Sequence, residues 1–228
     1  GHPLVEWALW AALGVCNPII VSSDDERILE FTEAWPTVWD SDRLHTEVIG
    51  HKRAAILATS VAPDLPVVQD AYGVLNPEPD DVIVLLRPTS PFRTAAEIRV
   101  VAELVNPMFC DSVRSVVRAR EHPAKSYRET GWSQLPLNGA RYPILEPWSR
   151  DHHRPNHASQ FLPKAWRACG FIDAVRGEVV RGGSLEGDAI LGWPVPEERA
   201  FDIDDEADLA AAEALAVRRG WRPGEVTP

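Results

Sequence analysis

Two aspartates near the end of the chain have the spacing of a metal site. Asp202 and Asp204 are separated by Ile203 within a predicted strand, 201–204. Alternate residues of a strand face the same side, so both carboxylates can reach one hard cation such as Mg²⁺ while Ile203 points into the core. Either Asp204 or Asp205 can instead be the N-cap of the last helix. The spacing alone leaves both interpretations open, and both can hold at once.

A polar turn in the middle of the chain is a second candidate site. Residues 87–94 read RPTSPFRT and directly follow the apolar run 82–86. The guanidinium groups of Arg87 and Arg93 and the hydroxyls of Thr89 and Ser90 suit phosphate or carboxylate oxygens. A proline-stiffened surface turn without a ligand explains the same residues about equally well.

A third polar segment, VSSDDE at 21–26, follows a short β-branched run. Its composition favours capping of the next helix by Ser23 or Asp24, with acidic side chains at the positive end of the helix dipole. Three histidines, His152, His153 and His157, raise the idea of a transition-metal site. Because they fall in an irregular stretch, we interpret them as solvated loop residues.

A mainly parallel sheet is predicted to position these segments, which makes the chain α/β. Strands are predicted at 18–22, 37–39, 82–86 and 112–118, with further regular segments at 165–175 and 189–195, and helices over 3–15, 64–75, 95–105 and 206–219. The run 82–86 is continuously apolar, which is typical of a strand buried on both faces. Ligands of such sheets gather beyond the carboxyl ends of the strands. Residues 121–163 lack a period and predict an irregular or hairpin arm within one domain, 1–228.

The composition excludes several classes of protein. Lys and Arg number 23 against 34 for Asp and Glu, and the net charge of −11 argues against a nucleic-acid-coating protein. Three cysteines without metal-ligand spacing argue against a disulfide framework and favour a reducing cytoplasm. No apolar run approaches the roughly 20 residues that span a bilayer.

The order of several motifs resembles the acylneuraminate cytidylyltransferases, also called CMP-sialic acid synthetases. The strongest match is LLRPTSPFRT at 85–94, which is close to the family's LLQPTSPLRT. GHPLV at 1–5, VSSD at 21–24, LPKAWR at 162–167 and ERAFDID at 198–204 resemble the family's GKPL, VSTD, LPxAYR and ERxxDID in the same order. The likeness covers the chain almost from end to end.

This resemblance implies a Rossmann-like nucleotidyltransferase, a three-layer sandwich that is usually a homodimer, with the mid-chain arm packed on the partner. It implies transfer of CMP from CTP to a hydroxyl of an acidic, nonulosonic-type sugar, with release of pyrophosphate. It also raises the Mg²⁺ interpretation of the two aspartates above the capping one. The implied catalytic residues are Asp202, Asp204 and Arg93, the nucleotide-binding residues Ser22, Asp24, Pro88, Thr89 and Ser90, and the sugar-binding residues Arg87, Gln160 and Arg167.

The chain departs from the family pattern at its start. Family members carry a strand and a basic, glycine-rich loop, ARxGSKGxxxKN, before the segment that resembles residues 1–5. We expect this strand and its phosphate-binding amides and lysines to be missing from these 228 residues. On their own, the 228 residues are therefore expected to turn over weakly or not at all.

Other departures fall on the sugar side. Arg87 replaces the family's glutamine, Ser159 stands where the arginine expected to hold the sugar carboxylate belongs, and CGFID at 169–173 replaces NGAIY. We hypothesise that Arg87 takes over from the missing arginine. A cytidylyltransferase for another hydroxyl acceptor, and a non-catalytic nucleotide-binding or scaffold relative, stay open as alternatives.

Overall fold

The computed structural model describes residues 1–35, 46–133, 141–148 and 158–227. Two compact units are present, one formed by Gly1–Val116 with Ala168–Pro228 and the other by Val117–Arg167. The strand predicted at 37–39 and the three histidines of 152–157 lie outside the described residues. No helix that is described is long and apolar enough to cross a membrane.

Helices and strands alternate along the first unit. The helices are α1 (Leu4–Ala12), α2 (Glu26–Glu33), α3 (Asp64–Leu75), α4 (Ala95–Leu104), α5 (Gly177–Arg181) and α6 (Glu206–Arg219). The strands of the chain are β1 (Ile19–Ser23), β2 (Val48–Lys52), β3 (Val82–Leu85), β4 (Ser112–Arg118), β5 (Tyr127–Trp132), β6 (Pro143–Pro147), β7 (Trp166–Arg176) and β8 (Ile190–Pro194).

The strands form a two-stranded parallel sheet, β1-β2, and a four-stranded sheet in the order β3-β7-β4-β8. Strands β4 and β8 run parallel, whereas β3 and β7 run antiparallel. The predicted α/β class, with helices and a parallel-rich sheet, is confirmed. The prediction that β3 is buried on both faces is wrong, since each of its residues is partly exposed and its hydrogen-bonded neighbour is antiparallel. A continuous apolar run does not determine the direction of the neighbouring strand.

Side-chain caps mark the start of three of the six described α-helices, α2, α4 and α6. The Asp25 side chain accepts from the backbone N–H of Arg27 at the start of α2, so Asp25 is the cap rather than the predicted Ser23 or Asp24. Thr94 and Glu97 form a reciprocal capping box on α4. Asp205 caps α6 by accepting from the N–H of Asp208. Each cap satisfies an N–H group that the helix cannot pair internally.

Two local predictions differ from the structure. Strand β2 lies in a stretch where we predicted no element, because its sequence VIGHK has only two apolar residues. Residues 201–204 are not a strand. Their side chains nevertheless alternate, with Phe201 and Ile203 partly buried and Asp202 and Asp204 exposed. The segment therefore presents its carboxylates as a strand would, without pairing as one.

An aromatic cluster around Phe92 holds the central turn against the C-terminal segment. Phe92 contacts Trp7, Phe201 and Trp221, with ring centroids 5.7, 5.5 and 5.1 Å away. Ile203 packs against the same cluster. Burial of large aromatic side chains contributes strongly to stability, so this cluster fixes the position of the turn.

The second unit contains a β-hairpin. Strands β5 and β6 pair antiparallel with an irregularity between Glu129 and Gly131. Large apolar side chains on and beside the hairpin are about half exposed or more: Tyr127, Trp132, Tyr142, Ile144, Leu145 and Trp148. The predicted arm, 121–163, falls within this unit.

Candidate functional site

Two hydrogen bonds join the central turn to the aspartate segment. The backbone N–H of Ile203 donates to the carbonyl oxygen of Thr89 at 3.0 Å. The hydroxyl of Ser90 donates to the carbonyl oxygen of Phe201 at 2.7 Å. The two segments are 111 residues apart in the chain. Asp202, which lies between the two bonded residues, is thereby held beside the Thr89–Ser90 corner.

The two aspartates keep their carboxylates available. Asp202 and Asp204 are exposed, and among the described residues neither side chain has a hydrogen-bond or ion-pair partner. The cap of α6 is Asp205, while the side chain of Asp208 accepts from the backbone N–H of Asp204. Capping therefore does not occupy the two carboxylates predicted to bind metal.

The two carboxylates at this corner are oxygen donors of the kind that Mg²⁺ takes, and Mg²⁺ binding by them stays a prediction. The described residues contain no group of three or more His, Cys, Asp or Glu side chains that could hold an ion. Mg²⁺ is typically held by one or two carboxylates and completes its shell with water and substrate phosphates. Two free carboxylates on one exposed segment are suited to that arrangement.

The predicted nucleotide-binding residues of the turn differ in exposure. Pro88 is exposed and Thr89 partly exposed, whereas Ser90 is fully buried. Because the Ser90 hydroxyl is directed to Phe201, it braces the corner from inside. The assignment of these residues to nucleotide binding stays a prediction.

Arg93 is buried beneath the turn. It is 2% exposed, and its Nη2 donates to the carbonyl oxygens of Arg87 and Ser90. Burial, followed by repulsion from Arg87, lowers the pKa of Arg93 to about 9, so it remains charged at neutral pH. Among the described residues its Nε and Nη1 have no hydrogen-bond partner. The geometry gives Arg93 a role in holding the turn, and its direct part in catalysis stays a prediction.

A second buried arginine connects the turn to the C-terminal segment, and sequence reasoning missed it. Arg199 donates from Nη2 to the carbonyl oxygen of Phe92 at 2.7 Å and forms an ion pair with Glu97 at the same distance. Glu97 also belongs to the capping box of α4. The sequence did contain a signal for Arg199, because the residues ER at 198–199 belong to the motif that resembles the family.

Arg87 is held between two carboxylates. Its Nη1 donates to Asp173 on β7 at 2.9 Å, and its Nη2 donates to Asp64 at the start of α3 at 2.5 Å. Burial favours a lower pKa for Arg87, but the hydrogen bonds to Asp64 and Asp173 outweigh it and raise the pKa. Two positions that depart from the family pattern, 87 and 173, thus form one contact, which the sequence did not predict.

The end of β1 forms another polar cluster. The guanidinium of Arg53 donates to the hydroxyl and carbonyl oxygens of Ser22 at 3.2 and 2.5 Å. The ammonium of Lys52 donates to the carbonyl oxygen of Asp24 at 3.0 Å. Lys52 is the last residue of the unpredicted strand β2 and Arg53 follows it, which explains why both cations were missed. Within the described part of the chain, no hydrogen bond joins these residues to the Thr89–Ser90 corner.

The remaining predicted residues lie in the second unit. Gln160 is exposed in a short 3-10 turn, Ser159–Phe161, and Arg167 is exposed in β7. Their assignment to sugar binding stays a prediction.

The described cavity includes Arg93 of the predicted site but not the two aspartates. A cavity of about 570 Å³ lies between the end of α1, the start of α4 and the tail around Gly224, and neither Asp202 nor Asp204 lines it. The cavity walls are mixed, with apolar residues such as Trp10 and Leu13 beside the polar Arg93 and Arg99. The hydrogen-bonded corner, in contrast, brings the aspartate segment beside Thr89 and Ser90.

Comparisons with known proteins agree with the fold and the resemblance. No model of a protein family matches the chain. The chain is 26% identical over 226 residues to N-acylneuraminate cytidylyltransferase A of Danio rerio, covering 97% of this chain and 46% of that protein. It therefore spans about half the length of this curated relative. The predicted resemblance to the acylneuraminate cytidylyltransferases is confirmed.

Two solved structures share the fold. A CMP:2-keto-3-deoxy-manno-octonic acid synthetase complexed with CTP superposes with a TM-score of 0.56 at 12% identity, covering 96% of this chain and 89% of that one. A 4-diphosphocytidyl-2C-methyl-D-erythritol synthase from Anaerococcus prevotii gives 0.53 at 11% identity, covering 96% and 87%. The predicted Rossmann-like nucleotidyltransferase fold is confirmed.

Proposed function

We propose that this chain transfers CMP from CTP to a hydroxyl of an acidic, nonulosonic-type sugar and releases pyrophosphate. The observation that carries the proposal is the pair of hydrogen bonds, Ile203 to Thr89 and Ser90 to Phe201, that holds two free carboxylates beside a hydroxyl-bearing corner. A cation and a nucleotide can meet at such a corner.

The names of the similar proteins support the same chemistry. The relative from Danio rerio is a cytidylyltransferase of N-acylneuraminate, and the synthetase with the same fold was solved with CTP. A third protein, with the 4-diphosphocytidyl name, shares the fold as well. The three names indicate different acceptors, but all three indicate cytidylyl chemistry.

Mg²⁺ would be held by Asp202 and Asp204. When bound there, the ion supplies positive charge against the phosphate oxygens of the nucleotide. The structural fit rests on two exposed carboxylates on one side of a segment whose intervening residue, Ile203, is packed in the aromatic cluster.

The protein's own contribution is positioning. In the reaction, the acceptor hydroxyl oxygen forms a bond to the α-phosphorus, the bond to the bridging oxygen of pyrophosphate breaks, and the hydroxyl proton is lost to solvent or a nearby base. Arg93 and Arg199 both donate hydrogen bonds to backbone carbonyl oxygens of the turn. They therefore hold the turn in place, and with it the aspartate segment. Holding reactants in a productive geometry removes much of the entropic barrier.

Arg87 is proposed to bind the carboxylate of the acceptor. It is two residues from Thr89 and its side chain is 33% exposed, so it can contact a ligand at this corner. A guanidinium group suits a carboxylate because its N–H donors form a planar fork.

The assembly is proposed to be a cytoplasmic homodimer. Exposed apolar side chains on the β5–β6 hairpin, such as Ile144 and Leu145, favour coverage by a second copy. Cys16, Cys110 and Cys169 are free thiols, which is consistent with a reducing compartment.

Light scattering of Ile144→Lys beside the unmodified chain tests the dimer: the variant is expected to be a monomer, and an unchanged mass would contradict this interface.

The experiment for the function measures CTP binding and pyrophosphate release. CTP, UTP and ATP are titrated with and without Mg²⁺, and release is followed with N-acetylneuraminate and 2-keto-3-deoxy-octonate as acceptors. We expect Mg²⁺-dependent binding of CTP above the other nucleotides, and pyrophosphate release that is at most weak and occurs only with an acidic sugar. CTP binding without release under any condition would favour the non-catalytic alternative, and no CTP binding would contradict the proposal.

A further inference from the structure

Arg87 has one deeply buried partner and one exposed partner. The side chain of Asp173 is 2% exposed, whereas that of Asp64 is 63% exposed. The inner contact is reinforced, because Asp173 also accepts from the backbone N–H of Ser115 at 3.1 Å and lies 3.4 Å from Arg114. The outer contact depends on a single hydrogen bond from Arg87 to Asp64.

The inner side of Arg87 is also fixed by packing. Gly170 has a φ of +65°, and a Cβ at this position would lie 3.2 Å from Nη1 and 3.3 Å from Cδ of Arg87. The positive φ favours glycine here, and the close approach leaves the Arg87 side chain little room to move on this side. The guanidinium is therefore already oriented when its outer Nη2 changes partner.

The two contacts differ in how readily they can be exchanged. Breaking a buried pair leaves an uncompensated charge and is strongly unfavourable, whereas an exposed pair contributes about 0.2–1 kcal/mol. A carboxylate ligand that approaches from solvent would meet the exposed contact first. Nothing in the inner contact needs to move for the exchange to occur.

We infer that Asp64 occupies the position of the acceptor's carboxylate and is displaced by it. This inference rests on the proposed function. It gives Asp64 two effects on acceptor binding. Asp64 weakens the binding, and it restricts binding to acidic acceptors that can displace it from Arg87. The geometry is that of one cation, Arg87, whose outer donor is covered by an exposed acid of the chain itself. In free protein the charge of Arg87 is balanced, and in the complex the substrate replaces Asp64.

The test compares binding of N-acetylneuraminate and its uncharged methyl ester, with CTP and Mg²⁺ present, by calorimetry. Asp64→Asn keeps the size of the side chain and removes its charge, and Asp80→Asn, an exposed aspartate, is the control for net charge. Asp64→Asn is expected to bind the acid about 1.4- to fivefold more tightly, the range released by one exposed ion pair. The ester should bind all three proteins equally.

Variants of Arg87 test whether the gain arises at this residue. In Asp64→Asn combined with Arg87→Gln the gain should vanish, and Arg87→Lys, which keeps a charge against Asp173, provides a second variant should the first not fold. Equal or weaker acid binding by Asp64→Asn, or the same gain for the ester, would overturn the inference. Absence of acid binding by the unmodified chain would also overturn it, and the CTP titration then separates this failure from failure of the cytidylyl proposal.

Discussion

Replacing Ser90 by alanine tests the link between the turn and the aspartate segment. The Ser90 hydroxyl is buried and donates to the carbonyl oxygen of Phe201 at 2.7 Å. Its removal leaves that carbonyl without this donor, and leaving a buried polar group unsatisfied costs about 1–3 kcal/mol. For a chain of this size the Tm should fall by roughly 2–10 °C.

Ser112 offers a matched control in the same unit. Its hydroxyl is also fully buried and donates to a backbone carbonyl, that of Glu186, at 2.6 Å. Ser112→Ala should therefore cause a similar fall in Tm. This contact joins β4 to a loop that contains none of the predicted site residues, so the variant should leave nucleotide binding unchanged.

The assay is thermal unfolding together with calorimetric titration of CTP in the presence of Mg²⁺. Ser90→Ala should weaken binding by up to about tenfold, because the net value of one hydrogen bond, about 0.5–1.5 kcal/mol, is lost from positioning Asp202. Equal CTP affinity in Ser90→Ala and Ser112→Ala, at equal loss of stability, would refute the reasoning that this brace positions the site.

Three further predictions concern buried and titrating groups. Arg199→Met should lower the free energy of unfolding in urea by about 3–5 kcal/mol, because it leaves the carboxylate of Glu97 without its buried partner; a loss below about 1 kcal/mol would contradict that role. Backbone N–H groups of Ala189 and Asp188, and then Arg176, lower the pKa of Asp111 from 3.8. Its stabilising contribution is therefore complete above pH 3.8 and is lost as pH falls through the lower folded value, so Asp111→Asn should show a shallower acid loss of stability than the unmodified chain; identical slopes would argue against it. Burial raises the pKa of Cys16 to about 11, so iodoacetamide at pH 8 should modify it much more slowly in the folded chain than in urea, and equal rates would show that the thiol is not protected.

The sequence predicted elements best where local signals agreed. Helix α3 and strand β4 have the predicted bounds, because prolines flank the helix on both sides and valines alternate with polar residues along the strand. Strand β2 was missed because its five residues include glycine, histidine and lysine, and its stability comes from pairing with β1 rather than from its own composition. Lys52 and Arg53 could not be assigned for the same reason.

The candidate site was predicted in part through chemistry and in part through resemblance. Alternation at 201–204 correctly placed Ile203 inward and the two aspartates outward, although the expected strand is absent. The burial of Arg93 could not be foreseen, since an arginine beside threonine in a turn is typical of an exposed ligand group. The partnership of Arg87 with Asp173 depends on the pairing of β3 with β7, which sequence pattern alone does not give.

Calorimetric titration of CTP with Mg²⁺ into aspartate variants tests the central claim most directly. Asp202→Asn and Asp204→Asn change exposed side chains and should fold normally, whereas Asp205→Asn alters only the cap of α6. We predict that the first two variants lose the Mg²⁺-dependent part of CTP binding and that Asp205→Asn retains it. If all three variants bind CTP with Mg²⁺ as tightly as the unmodified chain, the two carboxylates do not form the metal site.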